Sequence, residues 1–186
     1  IGDYDGDSIN DLAVFRPSDG NWYVRRSSDG SAFILHWGMA GDRPVSGDFD
    51  GDGRNDLAIF RPSLGDWYVN RSSDGGMTAM HWGSNGDLPV AGDFDGDGTA
   101  DIAVFRPTDG NWYIYRSSDG EANVYHFGVA GDIPVACEFD GDGITDIAVF
   151  RPVDGNWSIM RSTDNTFAAY HFGLPTDRPV PAASTP

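Results

Sequence analysis

The residues with the most evident chemistry in this chain are aspartates set two apart. Asp48, Asp50, Asp52 and Asp56 occupy positions 1, 3, 5 and 9 of a short stretch, with the Arg54 carbonyl at position 7. The spacing recurs as Asp3, Asp5, Asp7 and Asp11 around Ile9, and as Asp93, Asp95, Asp97 and Asp101 around Thr99. A fourth copy reads Glu138, Asp140, Asp142 and Asp146 around Ile144, with Glu for the first Asp and Cys137 for the preceding glycine. Alternate side chains on a tightly curled loop point inward, so these oxygens can converge on one ion. Hard carboxylate and carbonyl oxygens at this number suit Ca²⁺, which takes about six to eight flexible ligands, better than Mg²⁺ or a softer metal. Gly51 and Gly53 permit the positive φ angles such a curl needs. About four Ca²⁺ per chain are expected, with the Glu138 loop the weakest site.

Acidic Asp-Gly turns are common without any ion. Four copies at one spacing weigh against that reading, because each crowds like charges that repel unless a cation sits among them. Four acids in each of four loops make 16 of the 29 acidic residues, and four bound Ca²⁺ would bring the formal charge from −17 to −9. The negative charge argues against nucleic acid and anionic membrane surfaces as partners. All 12 basic residues are Arg, the side chain suited to bidentate pairing with carboxylates. The single Cys137 has no internal disulfide partner. No apolar run approaches the roughly 20 residues of a membrane span.

The loops are positioned by a repeating unit of 45 residues. Its copies run 2–46, 47–91, 92–136 and 137–181, within one domain 1–181 that leaves 182–186 as a tail. In each unit Pro44-Val45-Ser46-Gly47-Asp48-Phe49 reads as a first strand that ends in the acidic loop, and Leu57-Ala58-Ile59-Phe60, apolar on both faces, as a second that stops at Arg61-Pro62. Trp22 to Arg26 reads as a third, and a fourth ends at His36-Trp37-Gly38. Asp29-Gly30, Asp74-Gly75, Asp119-Gly120 and Asp164-Asn165 read as hairpin turns that need positive φ. The pattern predicts an all-β, propeller-like array of four four-stranded blades, with a solenoid as the competing architecture.

The chain opens at Ile1-Gly2-Asp3-Tyr4, inside a first strand, and closes with Arg178-Pro179-Val180-Pro181, which begins one elsewhere. Pairing of these ends is expected to close a ring within one chain, or to join copies head to tail in larger rings or a filament. Ile1 in place of Met suggests a processed or trimmed chain.

Several other residues recur once per unit. His36, His81, His126 and His171 are expected to make structural hydrogen bonds, and Trp22, Trp67, Trp112 and Trp157 to pack between blades. Trp37, Trp82, Phe127 and Phe172, near blade edges, are the better candidates for stacking on sugars. Arg16, Arg61, Arg106 and Arg151 are expected to pair with acids such as Asp42, Asp87, Asp132 and Asp177. No nucleophile elbow, phosphate loop or Cys/His zinc cluster occurs in the sequence, so no catalytic residue is assigned and no enzyme is expected.

The Asp-x-Asp-x-Asp-Gly-x-x-Asp motif with its apolar strand resembles the FG-GAP/VCBS-type repeats of extracellular β-propellers. The Gly-Asp-Phe-Asp-Gly-Asp-Gly, Phe-Arg-Pro and Asn-Trp-Tyr signatures carry the resemblance along essentially the whole chain. It implies calcium ligation by the positions named above and secreted or cell-surface adhesion, scaffolding or sugar binding. The expected function is an extracellular calcium-stabilised structural or adhesive module that self-assembles, or binds cell-surface proteins or glycans. A multivalent lectin-like propeller is the alternative.

Overall fold

In the computed structural model, which describes residues 2–180, every regular element is a β-strand. No helix among the described residues is long and apolar enough to cross a membrane. The strands form four antiparallel meanders in which each pairs with the next along the chain. The first contains β1 (Leu12–Arg16), β2 (Asn21–Arg25) and β3 (Ala32–His36). The second contains β4 (Arg43–Gly47), β5 (Asp56–Arg61), β6 (Asp66–Asn70) and β7 (Met77–His81). The third runs through β8 (Leu88–Gly92), β9 (Asp101–Arg106), β10 (Asn111–Tyr115) and β11 (Ala122–His126). The fourth is β12 (Ile133–Cys137), β13 (Asp146–Arg151), β14 (Asn156–Met160) and β15 (Phe167–His171).

Three sheets have the expected four strands, and the first has three among the described residues. Of the stretch that ends at Gly47 in β4, only the counterpart of its last residue, Gly2, is described there, and it makes an isolated bridge to Asp11. Each later sheet begins ahead of its sequence repeat: the second starts at Arg43, before the repeat boundary at 47. Arg178 to Val180 form no strand, while Pro181 and the tail lie outside the described residues. The turn chemistry is as expected, with Gly30, Gly75 and Gly120 at φ of 71°, 68° and 72° and Asn165 at 57°.

The chain divides into two compact units, one built on residues 2–85 with Gly98–Ala100, the other on Gly86–Asp97 and the residues from Asp101 onward. In the first unit Trp22 and Val24 of β2 pack with Leu57 and Ile59 of β5, joined by Tyr4. Trp22 also stacks at a tilt on Phe15, its partner across the β1–β2 ladder, with centroids 5.6 Å apart. Its indole N–H donates to the Trp37 carbonyl at 3.0 Å, which satisfies the polar end of a buried ring. In the second unit Trp112 and Ile114 of β10 pack with Ile147 and Val149 of β13 in the same way. Leu57, Ile59, Ile147 and Val149 are at most 5% exposed, so period-2 alternation disappears where both faces of a strand are covered.

A buried ion pair ties each linker to the sheet it enters. Arg61 grips Asp42 through Nε and a terminal nitrogen at 2.9 and 2.8 Å, and Arg106–Asp87 and Arg151–Asp132 repeat the fork. The three aspartates are 6%, 1% and 3% exposed, so each charge depends on its guanidinium. Arg16 departs from the expected pairing. It is exposed, reaches Asp19 at 3.4 Å and bonds the Tyr23 hydroxyl.

Candidate metal centres

Each Asp-rich loop joins the first-strand position of a sheet to its second strand, and its shape is set by the residue at position 1. Asp3 accepts the Gly6 and Ser8 N–H groups at 2.6 and 2.7 Å, and Asp48 those of Gly51 and Gly53 at 2.7 Å each. Charge-assisted bonds of this kind curl the backbone around the carboxylate. Gly51 and Gly53 take φ of 75° and 85°; in the first loop Ser8 adopts the same conformation at 65°.

Glu138 reaches the same seat. Its two oxygens accept N–H groups from Asp140 and Gly141 at 2.7 Å and from Gly143 at 2.9 Å. The bonds from Gly141 and Gly143 hold its carboxyl below the usual range. The extra methylene is thus absorbed without loss of the loop's curl.

Position 9 ties the loop to the rest of the sheet. Asp56 is 1% exposed and accepts N–H groups from Phe49 at 2.8 Å and Ser72 at 2.6 Å, linking the loop's entry to the turn between β6 and β7. Asp11, Asp101 and Asp146 bind the corresponding pairs of N–H groups. Burial pushes Asp56 and Asp101 up to about 6, and the nearby charges of Asp50 and Asp95 add to the rise.

Positions 1, 3 and 9 converge. Asp3, Asp5 and Asp11 each offer an oxygen within 4.8 Å of the others, as do Asp48, Asp50 and Asp56, Asp93, Asp95 and Asp101, and Glu138, Asp140 and Asp146. One oxygen of Asp5, of Asp50 and of Asp140 is buried and has no hydrogen-bond partner. A desolvated carboxylate oxygen without a donor is costly, and a cation in the cluster supplies what the protein does not. The residues therefore fit a hard metal ion.

Position 5 lies outside these groupings. Asp7, Asp52, Asp97 and Asp142 accept hydroxyl bonds from Ser27, Ser72, Ser117 and Ser162 at 2.8 to 3.0 Å. At position 7 the Ile9 carbonyl accepts a 3.4 Å bond from Ser27.

The serines are the functional residues that the spacing of the acids does not disclose. The turn after β2, and after its counterparts β6, β10 and β14, carries two hydroxyls, and both reach over the loop. Ser28, Ser73 and Ser118 donate to Asp5, Asp50 and Asp95 at 2.6 Å, and Thr163 donates to Asp140. The recurrence of Ser-Ser or Ser-Thr a fixed distance after each loop is the signal that points to them.

Loops in neighbouring repeats are also chained through their backbones. The Asn55 N–H donates to the Asp3 carbonyl at 2.5 Å, Ala100 to Asp48 at 2.6 Å and Thr145 to Asp93 at 2.6 Å. The first ligand residue of one loop is thereby fastened to position 8 of the next.

Family profiles agree with the repeat. The FG-GAP-like repeat profile matches residues 48–104 and the FG-GAP repeat profile residues 85–126. Residues 48–126, under half of the chain, are thus similar to FG-GAP-type repeats. No curated protein matches the chain. Among solved structures it is similar to a chain titled "Crystal Structure of Mitotic Checkpoint Complex", with TM-score 0.49 and 11% identity, over 92% of this chain and 67% of that one. It is also similar to the V. cholerae biofilm matrix protein Bap1, with TM-score 0.38 and 20% identity, over 91% of this chain and 38% of that one.

The other recurring side chains of the sheets have structural partners. His36, His126 and His171 bond through Nδ1 to Asn21, Asn111 and Asn156 at 2.9 to 3.0 Å, and His81 bonds to Asp66 at 2.7 Å. Trp22, Trp67 and Trp112 are at most 4% exposed, whereas Trp157 is half-buried. Trp37 donates to the Tyr68 carbonyl at 3.3 Å and Phe127 packs edge-on to Phe167 at 6.1 Å, so these two candidates for sugar stacking are used between sheets. Phe172 is 80% exposed.

Proposed function

We propose that the protein is a calcium-stabilised structural or adhesive module of the extracellular or surface environment, its sheets stacked as propeller-like blades. The observation that carries this reading is the buried, unpartnered oxygen of Asp5, Asp50 and Asp140, each within a convergent carboxylate cluster. Three oxygens from positions 1, 3 and 9 would hold a Ca²⁺ ion, with position 5 and the position 7 carbonyl close in sequence to complete the oxygen-rich set. The ion supplies positive charge that lets the position 9 carboxylate stay ionised while buried. That carboxylate already ties the loop to the next hairpin, so binding free energy becomes folding free energy. Outside the cell ambient calcium is millimolar and fills weak sites; in the cytosol such sites stay empty.

The test is calcium binding and thermal unfolding together. Saturation at a hundredfold Kd adds about 2.7 kcal/mol per site. EDTA is expected to lower Tm by more than about 10 °C, since each kcal/mol is worth about 2–4 °C at this chain length. Calorimetry is expected to find about four calcium sites that magnesium fills poorly. An unchanged Tm in EDTA would refute the reading.

A further inference from the structure

The interface between consecutive sheets has a narrow seat at the residue before position 1. A Cβ at Gly2 would stand 2.6 Å from Asn55 Cγ, one at Gly47 2.9 Å from Ala100 Cβ, and one at Gly92 2.7 Å from Thr145 Cγ2. In each case the obstacle is position 8 of the following loop, the residue whose N–H bonds the position 1 carbonyl. Glycine is required here by space alone, because the bond draws two backbones into contact.

The fourth repeat has Cys137 in that seat. Its side chain packs against the cluster of Val135, Ala148 and Ile159, on the sheet face that corresponds to the docking face of Trp112 and Ile114. In the first sheet, β1 presents the complementary face, uncovered among the described residues. Leu12 and Val14 are 65% and 61% exposed, while Leu57 and Ile59 at the same positions of β5 are 5% and 1%. Asn10 is exposed and holds the position of Asn55, which is 5% exposed. The charges match too. Arg16 lacks the buried linker aspartate that Arg61 has, and Asp177 repeats the turn of Asp42 and Asp132 in full exposure, its carboxylate accepting the Leu174 N–H at 2.9 Å.

We propose that the open face of the β1–β3 sheet docks a sheet of this same repeat type that carries glycine before its first loop acid, and that Cys137 bars the fourth sheet of a second copy from being that partner. A covering sheet of this kind brings every element of the internal interface: an aromatic face for Leu12 and Val14, a position 1 carbonyl for the Asn10 N–H, and a linker carboxylate for Arg16. The fourth sheet offers the aromatic face, the carbonyl and Asp177. Only the seat is filled. The proposal rests on the stacking of these sheets, and it fails separately from the calcium reading, which is judged by the EDTA melt.

The experiment compares wild type, Cys137→Gly and Cys137→Ala in calcium by sedimentation at rising concentration, with thermal melts to establish folding. The wild type and Cys137→Ala, which both carry a Cβ, are expected to remain monomeric. Cys137→Gly is expected to form head-to-tail species whose mean mass at least doubles across the series, and Leu12→Asp or Arg16→Glu added to it is expected to return the monomer. A folded Cys137→Gly protein that stays monomeric overturns the proposal. So does a wild type that associates as strongly as Cys137→Gly, or association that Leu12→Asp leaves intact. Cys137→Ala tracking Cys137→Gly would assign the effect to the thiol and overturn the steric argument.

Discussion

Strands β1 and β5 carry almost the same residues, Leu-Ala-Val-Phe-Arg against Leu-Ala-Ile-Phe-Arg after the loop aspartate, and meet opposite fates. Leu57 and Ile59 lie in the core between two sheets, while Leu12 and Val14 face outward on a sheet that nothing covers on that side among the described residues. Asn55 is locked onto Asp3 by two hydrogen bonds, its backbone N–H to the Asp3 carbonyl and its side-chain oxygen from the Asp3 N–H at 2.8 Å, whereas Asn10 is exposed. Arg61 holds a buried carboxylate; Arg16 holds an exposed one. The pair shows that a repeat encodes both halves of an interface and that burial comes only where a neighbour supplies the other half.

The largest expected difference lies in the arginines. Arg61→Ala leaves Asp42 buried without its partner and is expected to cost about 3–5 kcal/mol, whereas Arg16→Ala is expected to cost under about 1 kcal/mol. Urea unfolding of the calcium-loaded proteins measures both, and equal costs would erase the distinction. Next comes the apolar pair. Ile59→Ala is expected to lose about 2–4 kcal/mol by opening a cavity, and Val14→Ala to stay within about 0.5 kcal/mol.

A pH series sharpens the role of burial beside β5. Without metal the native state holds the Asp56 and Asp101 protons more tightly than the unfolded chain does, because both carboxyls are raised from 3.8 to about 6. Each group is therefore expected to withdraw about 2–3 kcal/mol of stability as pH climbs from about 4 to about 6.5. Calcium competes with those protons, so saturation should flatten or reverse the trend. Melts in EDTA and in calcium across this window check the sign, and Asp56→Asn should remove its share of the EDTA slope.

The smallest contrast concerns the seat. Gly92→Ala forces a methyl against Thr145 and is expected to cost about 1–3 kcal/mol, while Cys137→Ala, where that place already holds a side chain, should change stability by under about 1 kcal/mol.

Much of the fold was legible because each repeat writes its local geometry in local residues. Asp-Gly pairs marked the turns, alternation marked the strands, and the positions of Asp3, Asp5 and Asp11 marked one cluster. Ser27 and Ser28 escaped notice because their partners stand 20 and 23 residues earlier, a distance that closes only when the β2–β3 turn folds over the loop. The buried Arg61–Asp42 fork likewise depends on what pairs across space.

Sequence alone determined the all-β repeat, the acidic loops and the residue types each loop contributes, since turn preference, strand alternation and carboxylate spacing are short-range properties. Tertiary structure decided which of those acids meet, which arginine is buried and why glycine precedes three loops. The reason is physical: convergence, desolvation and close backbone contact are relations between sheets, so residues as alike as Leu12 and Leu57 acquire different roles only when one of them is covered.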